Sequence, residues 1–268
     1  MKKYHSLFLF TIITSVILLG ATVVLLYFSA KRQQNDRYIT IDPDTIRLVQ
    51  LEAPKEGDPI AVVETTLGEV RFVLYPDRSP NAVGNFTELA ESGWYDDTYV
   101  FDSREGIYAS AGCKRKNGDI SGEADSSRER TERELSQDLW TFRGAVCMVN
   151  TAKDSSFKNK LMGGGTFYNG SCFMFIDEVE LDDEAKKELL DASDNKALGQ
   201  AFLDLGGVPN LSQQVTVIGQ VYEGLDVIDK LTSLETENNG KYMIPKDDIR
   251  VLSVKIDTYS AENNSDIK

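Results

Sequence analysis

From Ile60 onward the chain alternates between apolar and polar positions in short runs, and Gly, Pro, Asn and Asp punctuate the runs. Val70, Phe72 and Leu74 interleave with Arg71, Val73 and Tyr75, the two-residue period of a half-buried strand. Ile60–Thr65 precedes it across Thr66-Leu67-Gly68-Glu69, so the two runs predict a hairpin. The period then changes. Val83, Phe86, Leu89 and Ala90 repeat on one helical face, Ser79-Pro80 offers a cap and a first-turn proline, and Gly93 offers a stop. Further strands are expected over 107–112, 145–150, 173–176 and 215–221, with a closing strand over 250–259 that puts Leu252, Val254 and Ile256 on one face. A charged helix over 182–192 with an aspartate cap and a short helix over 223–231 complete the pattern. Many short strands, few helices and long polar loops predict a closed antiparallel barrel, and no internal repeat is visible.

The front of the chain obeys different rules. Residues 6–30 carry no charge and are rich in Leu, Ile, Val and Phe, enough to span a bilayer core as a helix. Lys2 and Lys3 precede the run, and Tyr27 and Phe28 sit where an interfacial aromatic belt would fall. A cleaved signal peptide is the competing reading, but no small-x-small site closes the segment. An uncleaved single-pass signal anchor is therefore expected, with the bulk of the chain outside the cytoplasm. Lys31, Arg32 and Arg37 leave the orientation open on charge alone. Residues 31–59, with Pro43, Pro54, Gly57 and Pro59, read as a linker holding one short strand over 45–51. The resulting division is a basic N-terminus (1–5), an anchor (6–30), a linker (31–59), a folded domain (60–259) and a disordered tail (260–268).

Charge and composition narrow the chemistry. The chain holds 29 Lys and Arg against 43 Asp and Glu, a formal charge of −14. Such an acidic domain repels phosphate backbones, so nucleic acid is not an expected partner. The single histidine, His5, lies beside the apolar segment, which excludes His-based acid–base, triad and zinc chemistry from the folded part. Cys113, Cys147 and Cys172 show no CxxC or zinc spacing, and Cys147 sits in an apolar run as a small buried residue. No metal and no cofactor is expected. Gly163–Gly165 resembles a phosphate cradle only weakly, because no Lys-Ser/Thr and no helix start comes after it.

Four stretches stand in order: Thr98-Tyr-Val-Phe-Asp-Ser-Arg-Glu-Gly106, Phe142-Arg-Gly-Ala-Val-Cys-Met-Val-Asn150, Asn169-Gly-Ser-Cys-Phe173 and Gly219-Gln-Val-Tyr-Glu-Gly-Leu-Asp-Val-Ile-Asp-Lys-Leu231. With the Gly93-Trp-Tyr-Asp-Asp-Thr98 run, they resemble the motifs of the cyclophilin family of peptidyl-prolyl cis–trans isomerases. The resemblance runs from about Ile60 to Tyr259, with residues 151–168 longer than the family loop. It implies an eight-stranded antiparallel barrel capped by two helices, acting on proline-containing or extended polypeptide segments. Rotation about X–Pro crosses about 18–20 kcal/mol of lost amide resonance. The family is understood to lower that barrier with an arginine aimed at the prolyl nitrogen, an apolar pocket for the ring, and Gln/Asn groups on the peptide backbone.

On the matched positions much of that chemistry is exchanged. Asp102 stands where the family has its arginine, Phe101 replaces the preceding histidine, and Arg104, two residues on, is the nearest substitute. Ile107, Tyr108 and Ser110 replace Phe, Met and Gln. Val149 replaces Ala, whereas Asn150 is retained. Cys172 and Met174 replace Gln and Phe, Leu211 is kept, Asn210 stands for Trp, and Val215 for a loop histidine. By the resemblance, Arg104 is the candidate catalytic group, and Ile107, Tyr108, Ser110, Val149, Asn150, Cys172, Met174 and Leu211 are the candidate binding residues. Cys113 and Cys172 fall at the edge of the mapped groove, where an oxidising exterior would permit a disulfide. The expected activity is that of a membrane-anchored prolyl isomerase acting on exported proteins with weak or lost turnover. The alternative is a non-catalytic peptide-binding module or envelope scaffold.

Overall fold

A computed structural model describes residues 20, 22–24, 38–119, 130–152 and 167–261. The expected N-terminal anchor (apart from helical residues 20 and 22–24), the middle of the 151–168 insertion and the end of the tail therefore lie outside the described residues. Among the described residues no helix is long and apolar enough to cross a membrane.

The predicted hairpin forms as β1 (Pro59–Thr65) and β2 (Gly68–Leu74), paired from Ile60↔Val73 to Thr65↔Gly68. The remaining barrel strands are β3 (Thr98–Arg104), β4 (Tyr108–Cys113), β6 (Ala145–Ala152), β7 (Phe167–Ile176), β8 (Thr216–Glu223) and β11 (Arg250–Thr258), with short β5 (Thr131–Glu132) on the early part of β7. Strand order is β4-β3-β11-β1-β2-β8-β6-β7, and an antiparallel β4–β7 pairing closes the eight into a barrel, which removes the exposed edges. A separate small hairpin pairs β9 (Thr236–Asn238) with β10 (Met243–Pro245).

The interior is aromatic. Phe72, Phe86, Tyr95, Phe173 and Phe175 are fully buried, with edge-on contacts between Phe86 and Phe173 (5.6 Å) and between Tyr95 and Phe173 (5.2 Å). Two helices supply the rest of this cluster: α1 (Pro80–Glu91) through Val83, Phe86 and Leu89, and α4 (Leu225–Thr232) through Val227, Ile228 and Leu231. These are the two helices that the resemblance implies. Two more lie outside the barrel: α2 (Asp183–Ala192), where a charged helix was expected, and α3 (Lys196–Leu205). Asp182 caps α2 as expected, accepting from the Ala185 N–H at 2.8 Å. Helix α3, which was not expected, packs Leu198, Ala201 and Phe202 on Trp140 and Phe142.

Several local expectations are corrected. Ser79 does not cap α1, because its hydroxyl donates to the Val217 carbonyl at 2.8 Å. The cap comes from Glu134, whose carboxylate accepts from the Asn81 N–H at 3.2 Å and the Ala82 N–H at 2.8 Å. An acid at that end also meets the positive pole of the helix. Ile107 lies in the turn before β4 rather than in the strand. On β11 it is Val251 and Val254 that turn inward, while Leu252 is 42% exposed. The register slips between Glu64↔Ser253 and Thr65↔Val251, leaving Leu252 as the extra residue of a bulge.

The linker expectation fails for residues 39–59. Instead of a strand over 45–51 there are two 3₁₀ turns, Pro43–Thr45 and Val49–Leu51. Ile41, Ile46 and Leu48 pack against the Trp140/Phe142 cluster. Gln50 is buried, with its amide nitrogen donating to the Trp140 carbonyl (2.9 Å) and to Gln220 Oε1 (2.8 Å), while its oxygen accepts from the Trp140 N–H. A polar side chain docks this segment because every hydrogen-bonding group it buries finds a partner.

Replacing Glu134 with Ala is expected to cost about 1 kcal/mol, the usual worth of a helix cap. Urea unfolding should then show a lower midpoint at unchanged slope. An unchanged midpoint would show that the two N–H groups do not depend on that carboxylate.

Candidate functional site

The site is built on the outer face of the β3–β4–β7 corner. Register sets who meets whom: Asp102↔Ser110, Arg104↔Tyr108, then Ser110↔Met174 and Tyr108↔Ile176. Directly paired residues share a face. The alternate set, Ala109, Ala111, Phe173 and Phe175, faces the barrel core. A bulge makes this sorting possible. Val100 pairs with Ala111 and Asp102 with Ser110, so Phe101 is the extra residue. Val100 can then point inward while both Phe101 and Asp102 stand outside.

Asp102, at the position expected to hold an arginine, is 3% exposed and tightly engaged. One oxygen accepts from the Met243 N–H at 2.7 Å, the other from the Tyr108 hydroxyl at 2.9 Å. Arg104 completes the cluster, its Nε 3.3 Å from Oδ1 and 3.4 Å from Oδ2. The Arg104 guanidinium lies 5.8 Å from the centre of the Tyr108 ring and reaches the Lys241 carbonyl at 3.4 Å. The acid is thus bound on three sides: its own strand, the neighbouring strand and the small β9–β10 hairpin. Phe101 stacks edge-on with Tyr242 of the same hairpin at 5.1 Å.

Most of the expected binding residues do come together. Ile107, Tyr108, Val149, Met174 and Leu211 belong to one apolar cluster with Cys147, Ile176 and Val217. Leu211 arrives on the 3₁₀ turn Pro209–Leu211. Ser110 is buried between Asp102 and Met174 in the strand register. Cys172 joins Cys113 and Phe101 in an adjacent cluster that Val149 also touches. All three cysteines are buried, and burial raises the pKa of the Cys147 thiol. Asn150 is partly committed elsewhere, because its amide nitrogen donates to the Gln214 carbonyl at 2.7 Å. Its oxygen is buried and has no partner among the described residues.

The retained motif residues mainly hold the frame. Phe142 packs on Phe202 with ring centres 4.6 Å apart. Arg143 ties Asp177 at the end of β7 to Asp229 of α4. Gly144 has φ +81°, and a Cβ there would lie 2.9 Å from Gln220 Nε2, so only glycine fits. Asn169 staples β5 through Thr131 Oγ1 and the Glu132 carbonyl, each at 3.3 Å. Among the described residues no group of His, Cys, Asp and Glu is placed to hold a metal.

Three comparisons bear on this geometry. A family profile described as "Cyclophilin type peptidyl-prolyl cis-trans isomerase/CLD" matches residues 60–172, from β1 into β7. A "Putative bifunctional phosphatase/peptidyl-prolyl cis-trans isomerase" of Streptococcus pyogenes serotype M6 is 27% identical over 213 residues, 79% of this chain but only 41% of that protein. A "Putative peptidyl-prolyl cis-trans isomerase" of Staphylococcus saprophyticus is 27% identical over 208 residues, 77% of this chain and 96% of that one. The barrel superposes on a Cryptosporidium parvum cyclophilin type peptidyl-prolyl cis-trans isomerase, crystallised in the presence of the dipeptide Ala-Pro, with a TM-score of 0.52. That structure is 19% identical to this chain, and the match covers 75% of this chain and 99% of the other.

Burial, and then the charge of Asp102, push the Tyr108 hydroxyl up to about 12. The difference between the alkaline absorbance titrations of the wild type and Tyr108→Phe should therefore centre near that value. In Asp102→Asn it should fall, because the charge opposing the phenolate is gone. A phenol raised by folding contributes stability that is complete below its unfolded pKa of about 10 and is lost as pH climbs through the folded value. A difference titration centred near 10 would overturn the Tyr108–Asp102 contact.

Proposed function

The barrel domain of this chain is of the cyclophilin-type family, and from that premise we propose that it is a peptidyl-prolyl cis–trans isomerase of low turnover. Its substrates are extended, proline-containing polypeptide segments, held on the outer face of β3, β4 and β7. The observation that carries the reading is the state of Arg104. A guanidinium stands beside the Tyr108 ring at the edge of the apolar cluster, as the chemistry needs, but its Nε faces Asp102. A donor engaged by a buried carboxylate is weakened as a donor to the pyramidal prolyl nitrogen of a twisted amide. The substrate is gripped by the apolar cluster of Tyr108, Met174 and Leu211 and by the Asn150 carbonyl. Slow turnover results, because the interaction gained only in the transition state is the one that is compromised.

A non-catalytic peptide-binding module is the second reading, and the burial of Asp102 favours it. A carboxylate that accepts from the Met243 N–H and the Tyr108 hydroxyl fills the very position from which a donor would act. For residues 6–30 we keep the anchor reading on hydropathy alone. On that basis the barrel lies outside the cytoplasm and its clients are exported chains. Protease added to intact cells should then degrade the barrel.

Exchange spectroscopy on an Ala-Pro peptide decides between the two functional readings. We expect slow but measurable cis–trans exchange, with Arg104→Ala removing it and leaving peptide affinity within about twofold. Absent exchange with intact binding would favour the module. Asp102→Arg is not expected to rescue turnover. It places a second guanidinium against Arg104 in a buried position and should cost about 3 kcal/mol or more of stability.

A further inference from the structure

Residues 49–59, docked onto the barrel, enclose a cleft of about 240 Å³ with the end of β2 and the turn after it. One wall is Val49, Ala53, Pro54 and Pro59, and the other is Leu74, Tyr75 and Pro76. Three prolines and a tyrosine make rigid, apolar walls that lose little entropy on binding. The volume is below that of a drug-sized pocket and suits one or two side chains.

Its polar groups are unequally occupied. Lys55 is paired with Glu52 at 2.5 Å, and its N–H donates to Asp58 at 2.7 Å. Arg78 is paired with Asp138 at 3.0 Å. The Tyr75 hydroxyl is buried and has no hydrogen-bond partner among the described residues. Burial first, then Asp58 and Glu52, raise the pKa of that hydroxyl, so it remains a proton donor in a negative field. A buried donor left unmade costs free energy that a ligand acceptor recovers.

We propose that this cleft is a polypeptide-binding subsite outside the β3–β4–β7 face. It takes an aliphatic side chain next to a basic one, with a backbone carbonyl accepting from Tyr75 Oη. The acceptor must be neutral, because Asp58 and Asp77 line the cleft while its cations, Lys55 and Arg78, are already paired with Glu52 and Asp138. The same acids attract a lysine or arginine on the ligand, and the chain as a whole is acidic, at −14. Carboxylate and phosphate ligands are disfavoured for the same reason. Val49 and Tyr75 also pack on the apolar cluster that holds Met174 and Tyr108, so the subsite and the proposed substrate face share one body of side chains.

The test uses the full chain and two fluorescein-labelled hexapeptides, alternating Lys-Leu and alternating Glu-Leu, read by anisotropy. The Lys-Leu peptide is expected to bind saturably, at least tenfold more tightly than the Glu-Leu peptide. Tyr75→Phe removes one oxygen and no charge. It should weaken the Lys-Leu peptide about fivefold, the worth of one hydrogen bond. Because that oxygen has no partner among the described residues, the urea midpoint should stay the same or rise. Ala53→Trp, which fills the cleft, should abolish binding. An Ala-Pro peptide, held by the other face, should bind Tyr75→Phe as it binds the wild type. The subsite is overturned if Tyr75→Phe binds the Lys-Leu peptide unchanged, if its midpoint falls, or if both peptides are lost together. Equal binding of the Glu-Leu peptide would remove the electrostatic argument and the ligand class with it.

Discussion

The pairing of β4 with β7 is the contact on which the rest depends. It converts an open sheet into a barrel, and with its two-residue period it sorts side chains into two populations. Ala109, Ala111, Phe173 and Phe175 go inward, where small residues on one strand leave room for rings on the other. Tyr108, Ser110, Met174 and Ile176 go outward and become the floor of the candidate site. A slip of one residue along this seam would put the aromatic core into solvent, so the core fixes the register and the register fixes the site. The inner set thereby holds the outer residues in place.

Asp102 shows how such a change is absorbed. A carboxylate at 3% exposure is tolerable only with donors around it, and three groups supply them. Two are side chains on the same face, Tyr108 and Arg104, and the third is the Met243 N–H, which belongs to a hairpin more than a hundred residues away. The acid therefore joins the β9–β10 hairpin to the barrel wall. Its removal would strand a buried N–H and a buried hydroxyl as well as free Arg104. One residue is at once the reason the nearby guanidinium is restrained and a fastening for the loop beside it, so activity and stability cannot be tuned separately at this position.

The barrel was legible because its signals are local and periodic. The β1–β2 hairpin, α1 and α4 arise from alternation and from motifs that hold turns, such as Phe142-Arg143-Gly144. The features that escaped were set by contacts between residues far apart in the chain. Ser79 had the right identity for a cap, but Glu134 reached the helix end first and released the serine to Val217. Residues 45–51 carry enough apolar side chains for a strand, yet no sheet edge is left for them in a closed barrel. They turn instead and dock through Gln50. The bulges at Phe101 and Leu252 each add one residue and reverse the facing of the next stretch of strand, which no period-two reading can register. At the site, residue types were legible and their engagements were not. Sequence placed Asp102 and Arg104 on one face, but only the fold reveals that they hold each other.

The docked segment 39–59 is a consequence of the same closure. In the closed barrel β2 and β8 are paired on both sides, and the segment that covers this part of the wall does so by side chains: Val49 packs in one cluster with Val217, and Gln50 donates to Gln220. The segment's 3₁₀ turns satisfy backbone donors that a saturated sheet cannot, with the Thr45, Leu51 and Glu52 N–H groups donating to the Asp42, Leu48 and Val49 carbonyls. Such a cover packs in turns rather than in register, and it leaves gaps where the turns diverge from the wall. The cleft at Tyr75 is one of these gaps. One wall comes from the covering segment and the other from the end of β2 and the turn after it, Leu74, Tyr75 and Pro76. A second surface thus arises from how the barrel was covered, packed on the same apolar cluster as the outward residues Tyr108 and Met174.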